Sequence, residues 1–319
     1  MKKVLALILA LVMSLSLVAC GGGSSAKLRF VTGGESGTYY AFGSVIAQHA
    51  TNNAGINVVG LVGNGSQANI EELQAGNADL AFCQSDVMAY AYEGTNIFDA
   101  KVDCFSTVAA LYTEQVQIVT VNPSIKTVAD LKGKNVSIGA AGSGVFFNAV
   151  DILGAYGLDV EKDINPTYQS FGDSADALKD GKIDAAFIVA GAPTNAITDL
   201  ATTKAVSLVS LDDEHIDKLL ASSPYYTKCT IPADVYGLDA DTTTVGVGAV
   251  ILARDDVSED AIYALCADIF DNAADLVSSH AKYGELSLEY AASITSVPYH
   301  PGAAKYFAEK GYTVPTLSK

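Results

Sequence analysis

One unit is written twice in this chain. The first copy runs from Leu28 to Asp86, opening LRFVTGGESGTYYAFGSVIAQ and closing GSQANIEELQAGNADLAFCQSD. The second runs from about Asn135 to Gly191, opening NVSIGAAGSGVFFNAVDILGAYG and closing GDSADALKDGKIDAAFIVAG. Each copy predicts a short apolar strand, a glycine-rich turn, and a helix starting at Ser-Gly before an aromatic pair, Tyr39-Tyr40 or Phe146-Phe147. Each then predicts a second helix that stops at a glycine, Gly76 or Gly181, and a strand entered through an aspartate, Asp79 or Asp184. Gly37 to Gly76 spans 39 residues and Gly144 to Gly181 spans 37. Such a repeat constrains the chain to two α/β lobes built on one plan. Two lobes, each with a glycine-opened helix, aim two helix N-termini into one cleft, and such ends bind anions.

In order, Leu28–Thr32 reads as the first strand, Thr38 to about Asn52 as the first helix and Ile56–Leu61 as the second strand. Gly63-Asn64-Gly65-Ser66 turns into a helix with Ser66 as N-cap. Leu80–Cys83 is the third strand, with Gln84-Ser85-Asp86 just past its carboxyl end, where open α/β sheets place ligands. Asp86 reads equally well as the N-cap of the helix that follows. Phe105–Tyr112 and Gln115–Val121 read as separate strands, and Thr243–Leu252 as a long return strand. Gly191-Ala192-Pro193-Thr194 is the positional counterpart of Gln84-Ser85-Asp86. Ser258 to about Leu276 is amphipathic, and a final helix near the C-terminus is expected on the first lobe. Crossings near 115 and 240 divide the chain into 28–115 plus 250–319 and 116–249. That is a hinged clamp that binds by closure.

The N-terminus carries a targeting signal over residues 1–19. Met1-Lys2-Lys3 is basic, Val4 to Val18 is apolar apart from Ser14 and Ser16, and Leu17-Val18-Ala19-Cys20 reads as a lipobox. The apolar run is shorter than the ~20 residues of a membrane span. The expectation is cleavage before Cys20, a diacylglycerol on its sulfur, and a flexible tether over 20–27 holding the body on the outer face of the cell membrane.

Charge narrows the partners. The formal net charge is −17, and loss of Lys2 and Lys3 with the signal takes it to −19. Such a surface disfavours nucleic acid and anionic headgroups. With only Arg29 and Arg254 as arginines, an anionic ligand must be held by backbone N–H groups and hydroxyls. Cys83, Cys104, Cys229 and Cys266 lie in no metal-like spacing; Cys83 and Cys266 read as buried thiols, and a Cys104–Cys229 bridge stays open. His49, His215, His280 and His300 form no ligand pattern. There is no nucleophile elbow and no phosphate-binding GKS or GKT loop, and GGESGTYYAFG puts an aromatic pair where a dinucleotide fingerprint needs a small residue. The chain reads as a binder and not an enzyme, with no cofactor or metal expected.

The series TGGESGTYYAFG, GSQANIEELQAGNADLAFCQSD, DLKGKNVSIGAAGSG, DGKIDAAFIVAGAP, YYTKCTIPADVY and PYHPGAAKYFAEKG resembles the TAXI family of solute-binding subunits of TRAP transporters. The likeness covers essentially all of the chain after the tether. It implies an α/β, two-lobed type II periplasmic-binding-protein fold with a hinge of crossing strands. It also implies a small organic anion or amino acid ligand, glutamate-like or a dicarboxylate, and delivery to a fused TRAP membrane permease driven by an ion gradient. Carried onto this sequence, the contacts are Gly37, Thr38 and Tyr39 at one helix mouth, Ser66 and Asn69 at the next, and Gln84, Ser85 and Asp86 past the third strand. In the second lobe they are Ser143, Gly144 and Val145, with Gly191, Ala192 and Pro193 opposite. Val145 and Phe146 stand where relatives are expected to carry polar residues, which leaves the second lobe to bind through its backbone. An ABC-type oxyanion receptor, or an exported sensor or enzyme on the same scaffold, are the alternatives.

Overall fold

The computed structural model describes residues 27–96 and 98–317. The signal, Cys20 and nearly all of the tether lie outside them. The strands are β1 (Lys27–Val31), β2 (Asn57–Leu61), β3 (Leu80–Gln84), β4 (Phe105–Thr120), β5 (Asn135–Ser137), β6 (Asn165–Thr167), β7 (Ala185–Ala190), β8 (Ser207–Leu208), β9 (Thr227–Ile231) and β10 (Thr242–Arg254). Their main order is β2-β1-β3-β10-β4-β7-β5-β6, with β8 beside β4 and β9 beside β10. Read from either end, this is the same pattern: three parallel strands, then one long antiparallel strand. This is the α/β, two-lobed type II periplasmic-binding-protein fold, with β4 and β10 as the crossing strands.

The two copies superpose in their pairing. In the first, Asp79 N–H donates to the Arg29 carbonyl at 2.9 Å while its carboxylate accepts from the Arg29 N–H at 2.8 Å. In the second, Asp184 N–H donates to the Asn135 carbonyl at 2.8 Å and its carboxylate accepts from the Asn135 N–H at 2.9 Å. The aspartate at each strand entrance thus pins the start of the strand beside it. Gly76 and Gly181 both have left-handed φ, +72° and +70°, as helix-stopping glycines do.

Each lobe has apolar packing on both faces of its sheet. The Thr38–Asn53 helix presses Phe42, Ile46 and Ala50, spaced by four, onto Phe30, Phe82 and Leu111. The Glu259–Asp271 and Pro301–Glu309 helices join the same cluster through Ile262, Leu265, Tyr306 and Phe307. In the second lobe, Val136, Ile152, Phe187 and Val245 make the equivalent cluster on one face, and Leu178, Ile188 and Ile197 on the other. Full burial of such side chains stabilises each by roughly 1.5–3 kcal/mol.

Three local expectations differ. Phe105–Thr120 is one 16-residue strand and not two. Thr113, Glu114 and Gln115 look like a break in sequence, yet they stay extended because they pair with Gly248, Val247 and Gly246 of β10. The return crossing accordingly sits at 246–248, later than expected. Ser66 is the first residue of its helix and not its cap. Gly65 takes the cap position at φ +105°, a conformation closed to most residues, and an added Cβ would lie 2.9 Å from Ser143 Cα. Among the described residues Cys83, Cys104, Cys229 and Cys266 are free, Cys83 and Cys266 buried.

Candidate functional site

A cavity of about 120 Å³ lies between the lobes beside the crossing strands. Four helix starts line it: Gly37-Thr38, Gly65-Ser66, Gly144-Val145 and Ser170-Phe171. They begin helices Thr38–Asn53, Ser66–Gln74, Val145–Ala155 and Phe171–Lys179. They are the two helices of each repeat copy, so the convergence follows from the duplicated plan. First-turn N–H groups have no partner within their own helix, and each helix start carries roughly +0.5 of a charge. Four such ends supply a positive potential with no cationic side chain. Among the described residues lining the cavity none is Lys, Arg or His. Arg29 is instead bidentate to Asp79, and Arg254 pairs with Asp256.

Two buried hydroxyls add to the donors. Tyr39 Oη and Ser143 Oγ both belong to lining residues, and neither has a hydrogen-bond partner among the described residues. The Tyr39 ring stacks on Phe82 at 4.5 Å, so the ring is core while the hydroxyl is left over. Burial holds that phenol well above its ordinary range, which keeps it a donor. Orphaned buried polar groups cost about 1–3 kcal/mol each, a cost that a ligand relieves.

Of the residues named from sequence, Gly37, Thr38, Tyr39, Ser66, Gln84, Ser143, Gly144 and Val145 are brought together around the cavity. The other six lie off its wall, at positions their own bonds explain. Asn69 is fully buried and its amide donates to the Thr32 and Phe82 carbonyls at 2.6 and 2.8 Å, tying its helix to the sheet. Ser85 Oγ accepts from the Gly248 N–H at 2.8 Å, fixing the crossing strand. Asp86 accepts from Asn148 Nδ2 at 2.9 Å across the lobe junction. It sits in the first turn of its helix without capping it, and desolvation lifts its carboxyl to about 7. The Gly191 carbonyl accepts from Thr38 Oγ1 at 2.7 Å, the Ala192 N–H donates to Gln115 Oε1, and the Ala192-Pro193 bond is cis.

These contacts show the lobes closed on one another. Ala68 N–H donates to the Gly142 carbonyl at 3.0 Å, and Gln84 Nε2 donates to Asn148 Oδ1 at 2.6 Å. Asn148 Nδ2 also reaches Tyr226 Oη, which donates to Asp151. Gln84 is held at its other end by Ser66 Oγ, which accepts its N–H at 3.0 Å.

Besides neighbours of the named residues such as Glu35, Ser36 and Asn64, sequence reasoning passed over two parts of the wall. One is Ser170-Phe171-Gly172, the repeat partner of Gly65-Ser66-Gln67. The repeat itself was the signal, since Ser66 was named and its counterpart was not. The other is Glu114, a carboxylate only 2% exposed on β4. Its signal was the single charge in the strand-forming run FSTVAALYTEQVQIVT.

The NMT1-like family model matches residues 30–311. The chain belongs to the NMT1-like family. Solved structures share its fold at low identity. MatC from Rhodopseudomonas palustris, solved with bound malate, is 16% identical at TM-score 0.57 over 81% of this chain and 89% of that one. A putative L-cystine ABC transporter protein from Listeria monocytogenes is 16% identical at TM-score 0.51 over 85% and 99%. The GluR0 ligand-binding core in complex with L-glutamate is 10% identical at TM-score 0.50 over 83% and 99%. No group of three or more His, Cys, Asp or Glu among the described residues is placed to hold a metal ion. No helix among them is long and apolar enough to cross a membrane.

Proposed function

We propose that this chain is an extracytoplasmic solute-binding receptor that closes its two lobes on a small organic acid or amino acid. The reading rests on one observation: four helix N-termini, two from each lobe, open on a single cavity that also holds the unpartnered hydroxyls of Tyr39 and Ser143. Such ends bind carboxylates through oriented N–H groups. The similar structures that hold malate and L-glutamate favour the same ligand chemistry. The lobes are 28–115 plus 250–319 and 116–249, joined at the crossing strands, and the protein binds without chemical turnover. The contacts are those of the cavity wall together with Asn69, Ser85, Asp86 and Gly191 to Pro193 behind it. The resemblance to TAXI subunits supports delivery to a TRAP permease, and the lipobox supports anchoring through Cys20 to the outer face of the membrane.

A thermal-shift screen of amino acids and organic acids tests this. Ligand at 100 times its dissociation constant adds about 2.7 kcal/mol of apparent stability. Stabilisation by acids or amino acids without their consumption is the expected result. Turnover would point to an enzyme. Stabilisation only by inorganic oxyanions, with an ATPase gene beside this one, would point to an ABC-type receptor.

A further inference from the structure

The cavity wall that offers helix ends to an anion also contains a buried carboxylate. Glu114 stands on β4 at the crossing, where the two lobes meet. Its Oε1 accepts from the Gly191 N–H at 3.2 Å. No described Lys, Arg or His pairs with it at ion-pair distance. The near cation, Lys282, is committed elsewhere: its Nζ donates to the Ala192 carbonyl at 2.9 Å and to Glu285 at 2.5 Å. The hydroxyls nearby are those of Tyr39, Tyr112 and Tyr290; that of Tyr112 hydrogen-bonds Glu114 as a neutral donor, which leaves the carboxylate without a compensating positive charge. A buried carboxylate in a ligand cavity repels a second carboxylate and calls for a cation or a proton.

We infer that Glu114 is the subsite for a ligand ammonium group, so that the cleft selects α-amino acids over the corresponding acids that lack the amine. The inference rests on the receptor reading above: the helix ends take the ligand carboxylate and Glu114 takes the opposite charge. The rejected partner class is the simple dicarboxylate, which would place a second anion against Glu114.

Proton linkage follows. Desolvation pushes the Glu114 carboxyl up to about 8, against the weaker opposing pull of its hydrogen bonds and of Lys282, while Glu285 adds to the rise. Tyr39, Tyr112 and Tyr290 are held above their ordinary range by burial and stay neutral throughout. At neutral pH Glu114 therefore holds a proton, and an arriving ammonium favours its loss. Affinity for an amino acid rises with pH below about 8, by up to about tenfold per unit, and binding at pH 7 releases close to one proton. Had Glu114 kept its proton to donate to a ligand carboxylate, no proton would be released and affinity would fall as pH passed 8.

The test is calorimetry with three pairs: L-glutamate and glutarate, L-aspartate and succinate, L-alanine and propionate. Wild-type protein is titrated in buffers of differing ionisation enthalpy, and the Glu114→Gln variant alongside. The Gln carbonyl retains the Gly191 bond, so a purely structural role for Glu114 is unmoved by the change. The expected result is at least tenfold preference for the amine-bearing member, proton release in the wild type, and a preference reduced below threefold in the variant. Equal or tighter binding of the deaminated acid, absence of proton release, or an undiminished preference in Glu114→Gln overturns the inference while leaving the receptor reading in place. Should the variant fail to fold, the wild-type proton count and pair preference decide alone. Failure of all six compounds to bind overturns the receptor reading and this inference with it.

Discussion

The two copies of the repeat share a backbone and differ in what they present. The first lobe offers side chains to the junction: Tyr39, Ser66 and Gln84 face the cavity, and Asp86 reaches across to Asn148. The second lobe, apart from Ser143 and Asn148, offers mostly main chain: the Gly142 and Gly191 carbonyls accept from Ala68 and Thr38 of the first lobe, and Val145 and Phe171 bring helix starts under apolar side chains. The entrances differ in the same sense. Asp79 grips Arg29 with both carboxylate oxygens besides its backbone bond, whereas Asp184 makes only the backbone bond to the paired strand. A duplicated backbone can thus keep the feature that folding needs, the strand-entrance aspartate, while the two halves divide recognition between side chains and amides.

The sharpest way to break that division is at Gly144, where the first lobe's side chains meet the second lobe's main chain. A Cβ there would lie 1.5 Å from Gln84 Oε1 and 3.0 Å from Ser66 Oγ, and Gln84 is held on both sides. Gly144 has φ −68°, so a side chain is tolerated within its own lobe and clashes only across the cleft. Gly144→Val is expected to weaken ligand binding by more than about 100-fold, or about 2.7 kcal/mol, with the melting temperature of the ligand-free protein little changed. Affinity within threefold of wild type would contradict the closed geometry.

A smaller effect separates the two entrances. Asp79→Ala removes charge-assisted bonds and is expected to cost about 2 kcal/mol, and Asp184→Ala about 1 kcal/mol or less, in urea unfolding. The Asp79 figure already allows for the partial exposure of Arg29, 38% at the side chain. The Arg29 guanidinium holds the Asp79 carboxyl below its ordinary 3.8, so its contribution is present above that value and is lost as pH falls through the lower, folded one. Equal costs for the two variants would mean that the side-chain grip on Arg29 adds nothing.

Much of this was legible in the chain because the repeat is carried by residues with one dominant conformational use. Gly76 and Gly181 stop helices, Asp79 and Asp184 pin strands, and Ser-Gly before an aromatic pair opens a helix; the spacing then fixed two lobes and a shared cleft. What was not legible depended on partners distant in sequence. Thr113-Glu114-Gln115 look like a loop until β10 pairs with them. That Asn69 bonds the carbonyls of Thr32 and Phe82, and Ser85 the N–H of Gly248, is likewise decided by residues far along the chain. Asp86 looks like a cap until Asn148 arrives from the other lobe, 62 residues along the chain. A polar residue just past a strand has several possible partners, and only the fold selects among them.

The central claim is that helix starts from both lobes grip one acidic group. A crystal structure of the protein with the tightest ligand from the screen tests it most directly. The account predicts a ligand carboxylate within about 3 Å of N–H groups in the first turns beginning at Thr38 or Ser66 and, simultaneously, at Val145 or Phe171. A ligand held by one lobe alone, or one without an acidic group seated between these turns, would contradict it.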